Sequence, residues 1–386
     1  MIELKVKYFV FSDGNPKSGV TKKVISQVSM LVQLGLDIEL ILVDTGDVHF
    51  GSYDFLTSYK FGVFPKWNVF GRIMRARTIS KIFGDALRSL GSRDVLFYRY
   101  SRSLPLYYPL NYLKMFRSCR IVTEHQTIEI IEFNLGHDYL VYIGELLFGG
   151  FLKKQSDGIV GVTTEVTQYE ITCSGDSQKP RITIGNGFDI DSVPVKHVSG
   201  YLDSELRLLC VAAVHRWHGL DRLLKGIAAY SGTNKITLHI AGDGTELPYL
   251  KQLADELSIQ DHIIFHGYQT GELLDTLFNH CHIAVGSLGI HRKGLTQTSE
   301  LKAREYCARG IPYIIACSDP DFPDDFPYIL RLPADESPID MEQVITFASR
   351  VCQEPDYPQN MRLFAINNLD WSVKMKKLKQ FLENLT

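Results

Sequence analysis

The sequence has 386 residues, of which 45% are hydrophobic and 22% charged, and its formal net charge is −3 at pH 7. A chain of this length can form two domains, each with a hydrophobic core of its own. The balanced charge lacks the basic excess that is typical of nucleic-acid-binding proteins. The seven cysteines are scattered without a CxxC spacing, so we predict a reducing cytoplasm, with neither disulfides nor a zinc site.

The sequence shows no signal peptide and no membrane-spanning segment. A strand-like run begins at Leu4, directly after the first three residues. The longest apolar stretch, residues 139–152, is interrupted by Glu145 and is too short to cross a bilayer. We therefore expect a cytoplasmic protein that is at most peripheral on the inner face of the membrane.

Strands and helices alternate along the first half of the chain. A strand at 4–11 is followed by a turn-rich loop at 12–19, a helix at 20–34 and a strand at 37–43. Further strands are predicted at 95–98, 120–124 and 158–162. This alternation is typical of a doubly wound parallel sheet. The first loop contains Gly19 but lacks the GxGxxG spacing, so it is equally consistent with a plain turn.

Two segments of the first half are basic and contain no acidic residue. Residues 60–81 carry six Lys or Arg side chains interleaved with aromatic ones, and residues 95–123 carry five together with several tyrosines. Basic and aromatic surfaces suit an anionic membrane leaflet or an acidic acceptor. The alternative interpretation is that the aromatic side chains belong to the core and the charges are simply solvated.

His125 is a candidate catalytic residue because it follows the strand that ends near Thr123. Ligands of open α/β sheets bind at the carboxyl ends of the strands. We therefore expect His125 to face any cleft between two domains. The alternative is a histidine with a purely structural role.

The alternation breaks at a Gly/Asn turn at 185–189 and resumes after a polar stretch that extends to about residue 205. Strands and helices then repeat to about residue 365, which predicts a second Rossmann-like domain. We place the first domain at 1–189 and the second at 190–365. Residues 366–386 form a basic C-terminal helix that can cross back to the first domain.

Residues 286–317 hold the most informative pattern, a polar loop followed by a helix and a buried strand. We predict the helix from Ser299 to Arg309, with Thr298 or Ser299 as its N-cap. The first-turn N–H groups, with Lys293 and Lys302, would form an anion site. Glu305 would then accept two ribose hydroxyls of a nucleoside diphosphate. The alternative is a solvated helix face with Lys302 and Glu305 as an i,i+3 pair.

These motifs, in this order, resemble the GT-B-fold glycosyltransferases, in particular the retaining family numbered four. The matching motifs are SG at 18–19, NGFD at 186–189, HGLDRLL at 218–224, AGDG at 241–244 and AREYCARGIP at 303–312. They are similar to the family's glycine loop, NG(V/F)D, KGxDxL, (A/G)GxG and EAxAxGxP segments. The resemblance covers nearly the whole chain and implies two Rossmann-like doubly wound domains facing across a cleft.

The resemblance also implies the roles of single residues. Glu305 would bind the donor ribose, and Lys293 with the backbone near Thr298 and Ser299 would hold the diphosphate and the sugar. Gly19 would let the backbone approach the donor phosphate closely. The remaining implied positions are Asn186 and Gly187, which would line the cleft, and His125, near the reacting centre.

Two positions depart from the family pattern. Gln297 stands where the relatives carry the first glutamate of an ExxxxxxxE pair, and as a catalytic residue it can donate a hydrogen bond but carries no charge. His218 stands where they carry a phosphate-binding lysine. A neutral imidazole is a poor substitute for an ammonium group. Arg216, Lys293 or Lys302 would have to supply the missing charge.

The resemblance implies a glycosyltransferase that moves a sugar from a UDP- or GDP-linked donor to a saccharide or lipid-linked saccharide, with retention. Cell-surface polysaccharide or glycolipid synthesis is the expected context. No Asp-x-Asp or other carboxylate cluster of the sequence suits a catalytic divalent ion, so we expect neither a metal nor another cofactor. Two alternatives stay open: a nucleotide-sugar epimerase or hydrolase of the same fold, and a companion subunit that binds nucleotide sugars with little catalysis.

Overall fold

The computed structural model describes residues 4–11, 15, 19–43, 52–59, 69–101, 119–135, 139–197 and 204–385. The chain divides into two compact units. The first unit consists of Met1–Gly185 and Trp371–Thr386, and the second of Asn186–Asp370. The boundaries predicted at 189/190 and 365/366 are displaced by a few residues. The reason is that the turn at 185–189 pairs with the second unit, where the Phe188 N–H donates to the Leu369 carbonyl at 2.9 Å.

The first unit contains a seven-stranded parallel sheet in the order β3-β2-β1-β4-β5-β6-β7. Its strands are β1 (Lys5–Phe11), β2 (Asp37–Val43), β3 (Leu56–Tyr59), β4 (Val95–Arg99), β5 (Arg120–His125), β6 (Gly158–Gly161) and β7 (Arg181–Thr183). Its helices are α1 (Gly19–Gln33), α2 (Val69–Arg88), α3 (Glu129–Leu135), α4 (Tyr139–Gln155), α5 (Thr164–Ser174) and, from the C-terminal segment, α12 (Trp371–Asn384). Strand order reverses between β1 and β4, as in doubly wound sheets.

The second unit contains a six-stranded parallel sheet in the order β10-β9-β8-β11-β12-β13. Its strands are β8 (Glu205–Val211), β9 (Lys235–Ala241), β10 (Ile263–Gly267), β11 (Ile283–Val285), β12 (Tyr313–Ile315) and β13 (Ile329–Arg331). Its helices are α6 (Leu220–Ala229), α7 (Leu247–Glu256), α8 (Glu272–His280), α9 (Leu301–Arg309), α10 (Met341–Cys352) and α11 (Tyr357–Asn368). The prediction of two doubly wound Rossmann-like domains is confirmed.

Both faces of the first sheet are covered by helices. One face packs on α1 and on α12, whose Met375, Leu378 and Leu382 are buried in the same cluster as Val6 and Val28. The other face packs on α2, through a cluster that includes Phe83 and Tyr100. The C-terminal helix therefore contributes to the core of the first unit.

The two basic segments are only partly described. Residues 60–68 and 102–118 lie outside the described residues. In the described part, Phe97, Tyr98 and Tyr100 are buried, as the core interpretation predicts, whereas Phe70 at the start of α2 is 70% exposed. None of the described helices combines the length and the apolar composition that crossing a bilayer requires.

The second unit contains two buried histidines, His239 and His282. His239 of β9 contacts His266 of β10, with Nδ1 and Nε2 2.9 Å apart, and His282 accepts the Arg207 N–H at 3.0 Å. Burial, helped by His266, lowers the pKa of His239 to about 4. Burial, helped by Arg207, lowers the pKa of His282 to about 3. Both imidazoles are neutral in the folded unit at pH 7.

Acidification is expected to destabilise the second unit through these two histidines. Their folded-state pKa values lie below the unfolded value near 6.5, so the unfolded chain binds more protons and stability falls as the pH drops below that value. From about pH 7 to pH 4.5 the expected loss is on the order of 2–5 kcal/mol. Urea unfolding across this range measures it. His239→Gln should weaken the pH dependence and His197→Gln, at an exposed position, should not; an unchanged slope in His239→Gln would contradict the prediction.

Candidate functional site

The loops that follow β8 and β11 are hydrogen-bonded to each other. A short 3₁₀ turn, Arg216–His218, follows β8, and the His218 carbonyl accepts the Leu288 N–H at 2.9 Å. Gly219 has a φ of +63°, and a Cβ there would lie 2.7 Å from the Leu288 carbonyl carbon. Glycine is the residue that meets both conditions, so position 219 fixes the close approach of these loops.

Cationic side chains of the loop after β11 lie against the loop after β8. Lys293 Nζ lies 4.5 Å from the centre of the Trp217 ring, within the range of a cation–π interaction. The guanidinium of Arg292 binds Asp221 at 2.8 and 2.9 Å and also donates to the Arg216 carbonyl at 2.8 Å. Arg292 thus has a structural role, and the Arg216 side chain is exposed.

His218 is buried and uncharged. Its Nδ1 accepts the His215 N–H at 3.0 Å, which ties the imidazole to the start of the 3₁₀ turn. Burial, together with the positive charge of Lys302, lowers the pKa of His218 to about 2. The side chain therefore carries no positive charge at pH 7, and it cannot replace a phosphate-binding ammonium.

A half-buried lysine, whose ammonium nitrogen itself is buried, lies near this imidazole. The Ser287 N–H donates to Glu300 Oε2 at 3.2 Å, and the Ser287 hydroxyl donates to Glu300 Oε1. Lys302 Nζ is 3.7 Å from Glu300 Oε2, and among the described residues no hydrogen-bond acceptor is within reach of this buried ammonium. Lys302 therefore brings a positive charge to the carboxyl end of β11, and Glu300 neutralises this charge only in part.

The start of α9 differs from the prediction. The helix begins at Leu301, its N-cap is Glu300, and no side chain caps it. Ser299 Oγ instead accepts the Asn186 N–H at 2.8 Å, and the Thr298 N–H donates to the Ser318 carbonyl at 3.0 Å. Both predicted capping residues thus form hydrogen bonds with the loops beside the helix. The predicted N-cap and the start at Ser299 are wrong.

The i,i+3 pair of Lys302 with Glu305, which the alternative interpretation expected, does not form. Glu305 instead binds Arg309 Nε at 2.8 Å, one helical turn further on. With α9 starting at Leu301, Glu305 lies about 6 Å along the axis from the helix start. Gln297 is half-buried, and its backbone pairs with Ser318 in an isolated parallel bridge. The two positions therefore lie on either side of the helix start.

A buried arginine of α9, Arg304, was not predicted as a site residue, and it binds three segments around the site. Arg304 is fully buried and binds Asp319, with Nη2 to Oδ1 at 2.9 Å, and Asp321 at 2.5 Å. Its Nε donates to the Asn186 carbonyl at 3.0 Å. Gly187, next in the chain, is buried. One guanidinium thus connects α9, the segment after β12 and the turn at the start of the second unit.

A cavity of about 650 Å³ opens at the carboxyl ends of β8 and β9. It is lined by Val211, Ala212, Ala213, Ala241, Gly242, Asp243, Gly244, Thr245, Tyr268 and Gln269. A Cβ at Gly242 would lie 1.9 Å from the Ala212 carbonyl oxygen, and one at Gly244 2.2 Å from that of Val214. The AGDG motif is therefore required for close packing of two loops. Sequence reasoning missed the cavity and Tyr268, whose exposed ring follows β10.

His125 ends β5 as predicted, but its side chain does not face outward. The imidazole is fully buried, is stacked on Tyr100 with 4.7 Å between centroids, and lies 3.1 Å from Glu129 Oε1 through Nδ1. Burial lowers the pKa of His125 to about 4 although Glu170 raises it. The expectation that His125 faces a cleft is corrected, because residues of its own unit enclose it.

The surroundings of His125 hold an excess of buried carboxylates. His125, Glu129 and Glu170 are the one group with metal-ligand spacing in the described part of the chain. Burial raises the pKa of Glu129 to about 8 and that of Glu170 to about 7. Lys153 Nζ lies 2.7 Å from Glu170 Oε2 and 3.1 Å from Glu145 Oε1. The Lys153 ammonium thus forms an ion pair with Glu170, one of the three residues of this group.

The predicted site residues thus fall into two groups. The second unit brings together, at the carboxyl ends of its strands and the start of α9, Asn186, Gly187, Arg216, His218, Lys293, Gln297, Thr298, Ser299, Lys302 and Glu305. The first unit holds His125 and Gly19, the exposed first residue of α1. Ser18 lies outside the described residues.

Comparisons with known proteins agree with this architecture. Residues 196–315 match the family model described as glycosyl transferases group 1. The chain is similar to a sucrose-phosphate synthase from Thermosynechococcus elongatus, with a TM-score of 0.71, 14% identity and 99% of both chains covered. No curated protein sequence matches it.

Two further solved structures cover 99% of this chain and 100% of their own. One is the lipopolysaccharide outer core galactosyltransferase WaaB, with a TM-score of 0.67 and 13% identity. The other is HepE of Anabaena, solved with UDP and glucose, with a TM-score of 0.65 and 12% identity. At these identities, the likeness shows that the chain shares their fold.

Proposed function

We propose that the chain is a glycosyltransferase that transfers a sugar from a UDP- or GDP-linked donor to a saccharide or lipid-linked saccharide hydroxyl, with retention. The glycosyl transferases group 1 region in its second unit and the fold that it shares with solved glycosyltransferases support this proposal. The donor binds to the second unit and the acceptor to the first. The UDP present in the HepE structure favours a uridine nucleotide. Cell-surface polysaccharide or glycolipid synthesis is the proposed context.

The proposed donor site runs from the cavity beside Gly244 to the start of α9. The cavity takes the nucleobase, with Tyr268 at its edge. The Val211 N–H, at the cavity wall, donates to the Tyr306 hydroxyl at 3.1 Å, so α9 is packed against the end of β8. We assign to Glu305, which precedes this tyrosine in the sequence, the role of accepting ribose hydroxyls. Ligand sites of open α/β sheets lie at such strand ends.

The single observation that carries the proposal is the buried ammonium of Lys302. The leaving diphosphate needs compensating positive charge as its bond to the sugar breaks. His218 is neutral and Arg292 is paired with Asp221, so neither supplies that charge. Lys302, with the N–H groups that begin α9, supplies it next to Glu300, and Lys293 adds to it from the neighbouring loop. We therefore assign diphosphate binding chiefly to Lys302.

Two residues remain as proposals for the reacting centre. Gln297 is proposed to hydrogen-bond the donor sugar, because its backbone bridge to Ser318 fixes it beside the helix start. A neutral amide there gives orientation without stabilising positive charge on the sugar. Residues of its own unit enclose His125. We therefore propose that His125 does not touch the donor and instead holds neighbouring residues of the first unit in position.

We propose that the transfer needs no metal and no other cofactor, since lysine and helix N–H groups compensate the diphosphate. The cluster of His125, Glu129 and Glu170 already contains the Lys153 ammonium. Activity should therefore survive exhaustive treatment with EDTA. Loss of activity that Mg²⁺ or Mn²⁺ restores would refute metal independence.

We further propose a cytoplasmic enzyme that reaches the inner face of the membrane through its first unit. The basic segments 60–81 and 95–123 support this, because Lys and Arg near an anionic leaflet each add roughly 1 kcal/mol of attraction. Binding of this kind should weaken steeply with salt.

Incubation with UDP- and GDP-sugars, with and without a lipid-linked saccharide, tests the proposed reaction. A transferase releases nucleotide only when acceptor is present, and NMR of the product shows whether the anomeric configuration is retained. An epimerase would isomerise the sugar without acceptor, and a hydrolase would release free sugar. A companion subunit, which the neutral His218 and Gln297 would suit, would bind the donor without turnover.

Replacing Glu305 with Ala is expected to raise the KM for the donor by about 10- to 100-fold, with a smaller change in kcat. The reason is that a carboxylate that accepts ribose hydroxyls contributes roughly 1.5–3 kcal/mol of binding. Steady-state kinetics with varied donor measure the change. Glu256→Ala, at an exposed glutamate of α7, is the matched control. A donor KM within twofold of wild type in Glu305→Ala would remove Glu305 from the site.

A further inference from the structure

The outer face of α4 is apolar. Among the residues that the structure describes, six of the 18 exposed large hydrophobic side chains lie on this one helix of 17 residues. They are Tyr139, Ile143, Leu146, Leu147, Phe148 and Phe151. Leu147 is 68% exposed and Tyr139 60%. Contiguous apolar surface of this kind marks an interaction site rather than scattered exposure.

The exposed residues form one stripe. At about 100° per residue, Tyr139, Ile143, Leu146, Leu147 and Phe151 fall within an arc of roughly 140°. We call this arc the α4 stripe. Within the arc, Gly150 adds no side chain, and the one exposed charge of the helix, Lys154, lies at its C-terminal end. An acidic side chain is absent from the stripe.

The inner face of the same helix is charged, which inverts the usual amphipathic pattern. Glu145 is buried and accepts the Tyr100 hydroxyl at 2.8 and 2.9 Å. Lys153 is buried and lies 2.7 Å from Glu170 Oε2. A helix that buries its charges in ion pairs and presents leucine, isoleucine and phenylalanine outward is adapted to an apolar medium on its outer side.

Basic residues accompany the α4 stripe on the same face of the first sheet. Phe83 of α2 and Tyr100 belong to one core cluster, and Tyr100 also bonds to Glu145 of α4, so α2 and α4 cover the same face. The sequence of α2 contains five Lys or Arg and one Asp. The exposed ones include Arg77 and Lys81.

We propose that the α4 stripe inserts into the interfacial region of an anionic lipid bilayer and anchors the first unit there. Electrostatic attraction by the basic segments, which belongs to the proposed function, brings the protein to the surface, and the stripe adds apolar burial. At 17 residues, with Glu145 and Lys153 on its inner face, α4 lies in the membrane plane and does not cross it. A second copy of the chain is the less suitable occupant, because dimerisation through this face would oppose like charges of α2.

Flotation with vesicles of phosphatidylcholine and phosphatidylglycerol in equal amounts tests the proposal. The wild-type chain should bind, and the double variant Ile143→Glu/Leu147→Glu should lower the ratio of bound to unbound protein by at least about tenfold. Binding should also persist in part at a salt concentration that screens surface charges. Ile143→Phe/Leu147→Phe should retain binding.

The matched control is Leu273→Glu/Leu363→Glu, at positions of the second unit that are 68% and 58% exposed, and it should bind like wild type. Thermal melting checks that each variant is folded. Undiminished flotation of the α4 double variant would overturn the proposal. A lipid-free dimer that this variant converts to monomers, in light scattering, would assign the stripe to a second copy and overturn it as well.

This inference and the proposed reaction can fail separately. Nucleotide release with a soluble saccharide acceptor, measured without vesicles, should be the same in wild type and in the α4 double variant. A chain that floats through the α4 stripe but transfers no sugar would keep the membrane inference and refute the proposed function.

Discussion

Replacing Lys302 with Met should lower kcat by about 10²- to 10³-fold, the cost of removing one preorganised group that stabilises developing charge. The ammonium lies beside neutral His218 at the end of β11, 3.7 Å from its nearest carboxylate, on Glu300. Its removal leaves the leaving diphosphate with the helix N–H groups and Lys293. Because the charge matters most as the bond breaks, the donor KM should change less than kcat. Steady-state kinetics with varied donor separate the two effects.

Three further variants test the assignment of this effect to the charge of Lys302. Lys302→Arg keeps the charge and should recover part of kcat. Lys293→Met should lower turnover by a smaller factor, since Lys293 Nζ lies over the Trp217 ring. Lys251→Met, at an exposed lysine of α7, should behave like wild type. If Lys293→Met loses more activity than Lys302→Met, the diphosphate charge comes from the loop and the assignment to Lys302 is wrong.

Replacing Arg304 with Met is expected to lower the free energy of unfolding of the second unit by about 3–5 kcal/mol, the usual cost of breaking a buried ion pair by removing one partner. Asp319 is buried beside the guanidinium. Burial already raises the pKa of Asp319, and Arg304 counteracts that rise. Without the arginine, the carboxylate stays buried and uncompensated. Urea unfolding followed by fluorescence measures the loss.

A double variant separates two contributions to the lost stability, that of the ion pair and that of the packing of the arginine side chain. Arg304→Met/Asp319→Asn removes the orphaned charge and should recover at least about half of the lost stability. Arg331→Met, at a half-buried arginine whose guanidinium donates to backbone carbonyls, is a control without a buried carboxylate partner. Equal stability of the single and double variants would mean that the charge on Asp319 is not the cause.

The regular spacing of apolar residues allowed the architecture to be predicted from the sequence. The bounds of β2 agree to the residue with the strand predicted at 37–43, because this strand is an apolar run between turn residues. The match of residues 196–315 to the glycosyl transferases group 1 model agrees with the resemblance to glycosyltransferases. These features depend on local sequence, so they can be predicted from it.

The details of the site depend on partners far apart in the chain. The Ser299 hydroxyl is drawn to Asn186, 113 residues away, so it does not cap α9. We expected the His125 side chain to point outward, because ligands of open α/β sheets bind at the carboxyl ends of strands. Instead, Tyr100, Glu129 and Glu170 enclose it. The same holds for Glu145, which in the sequence only interrupts an apolar stretch. Its inward direction, set by Tyr100 and Lys153, is what leaves the apolar side of α4 outside.

The return of α12 to the first unit has a consequence for biosynthesis. The first unit buries Met375, Leu378 and Leu382 in its core, so its tertiary structure is complete only after these residues have left the ribosome. The second unit, Asn186–Asp370, is whole before that point. Domains generally fold during synthesis from the N-terminus onward. Here the first unit needs a helix that is translated after the whole second unit, so its folding cannot be completed before the second unit has been synthesised.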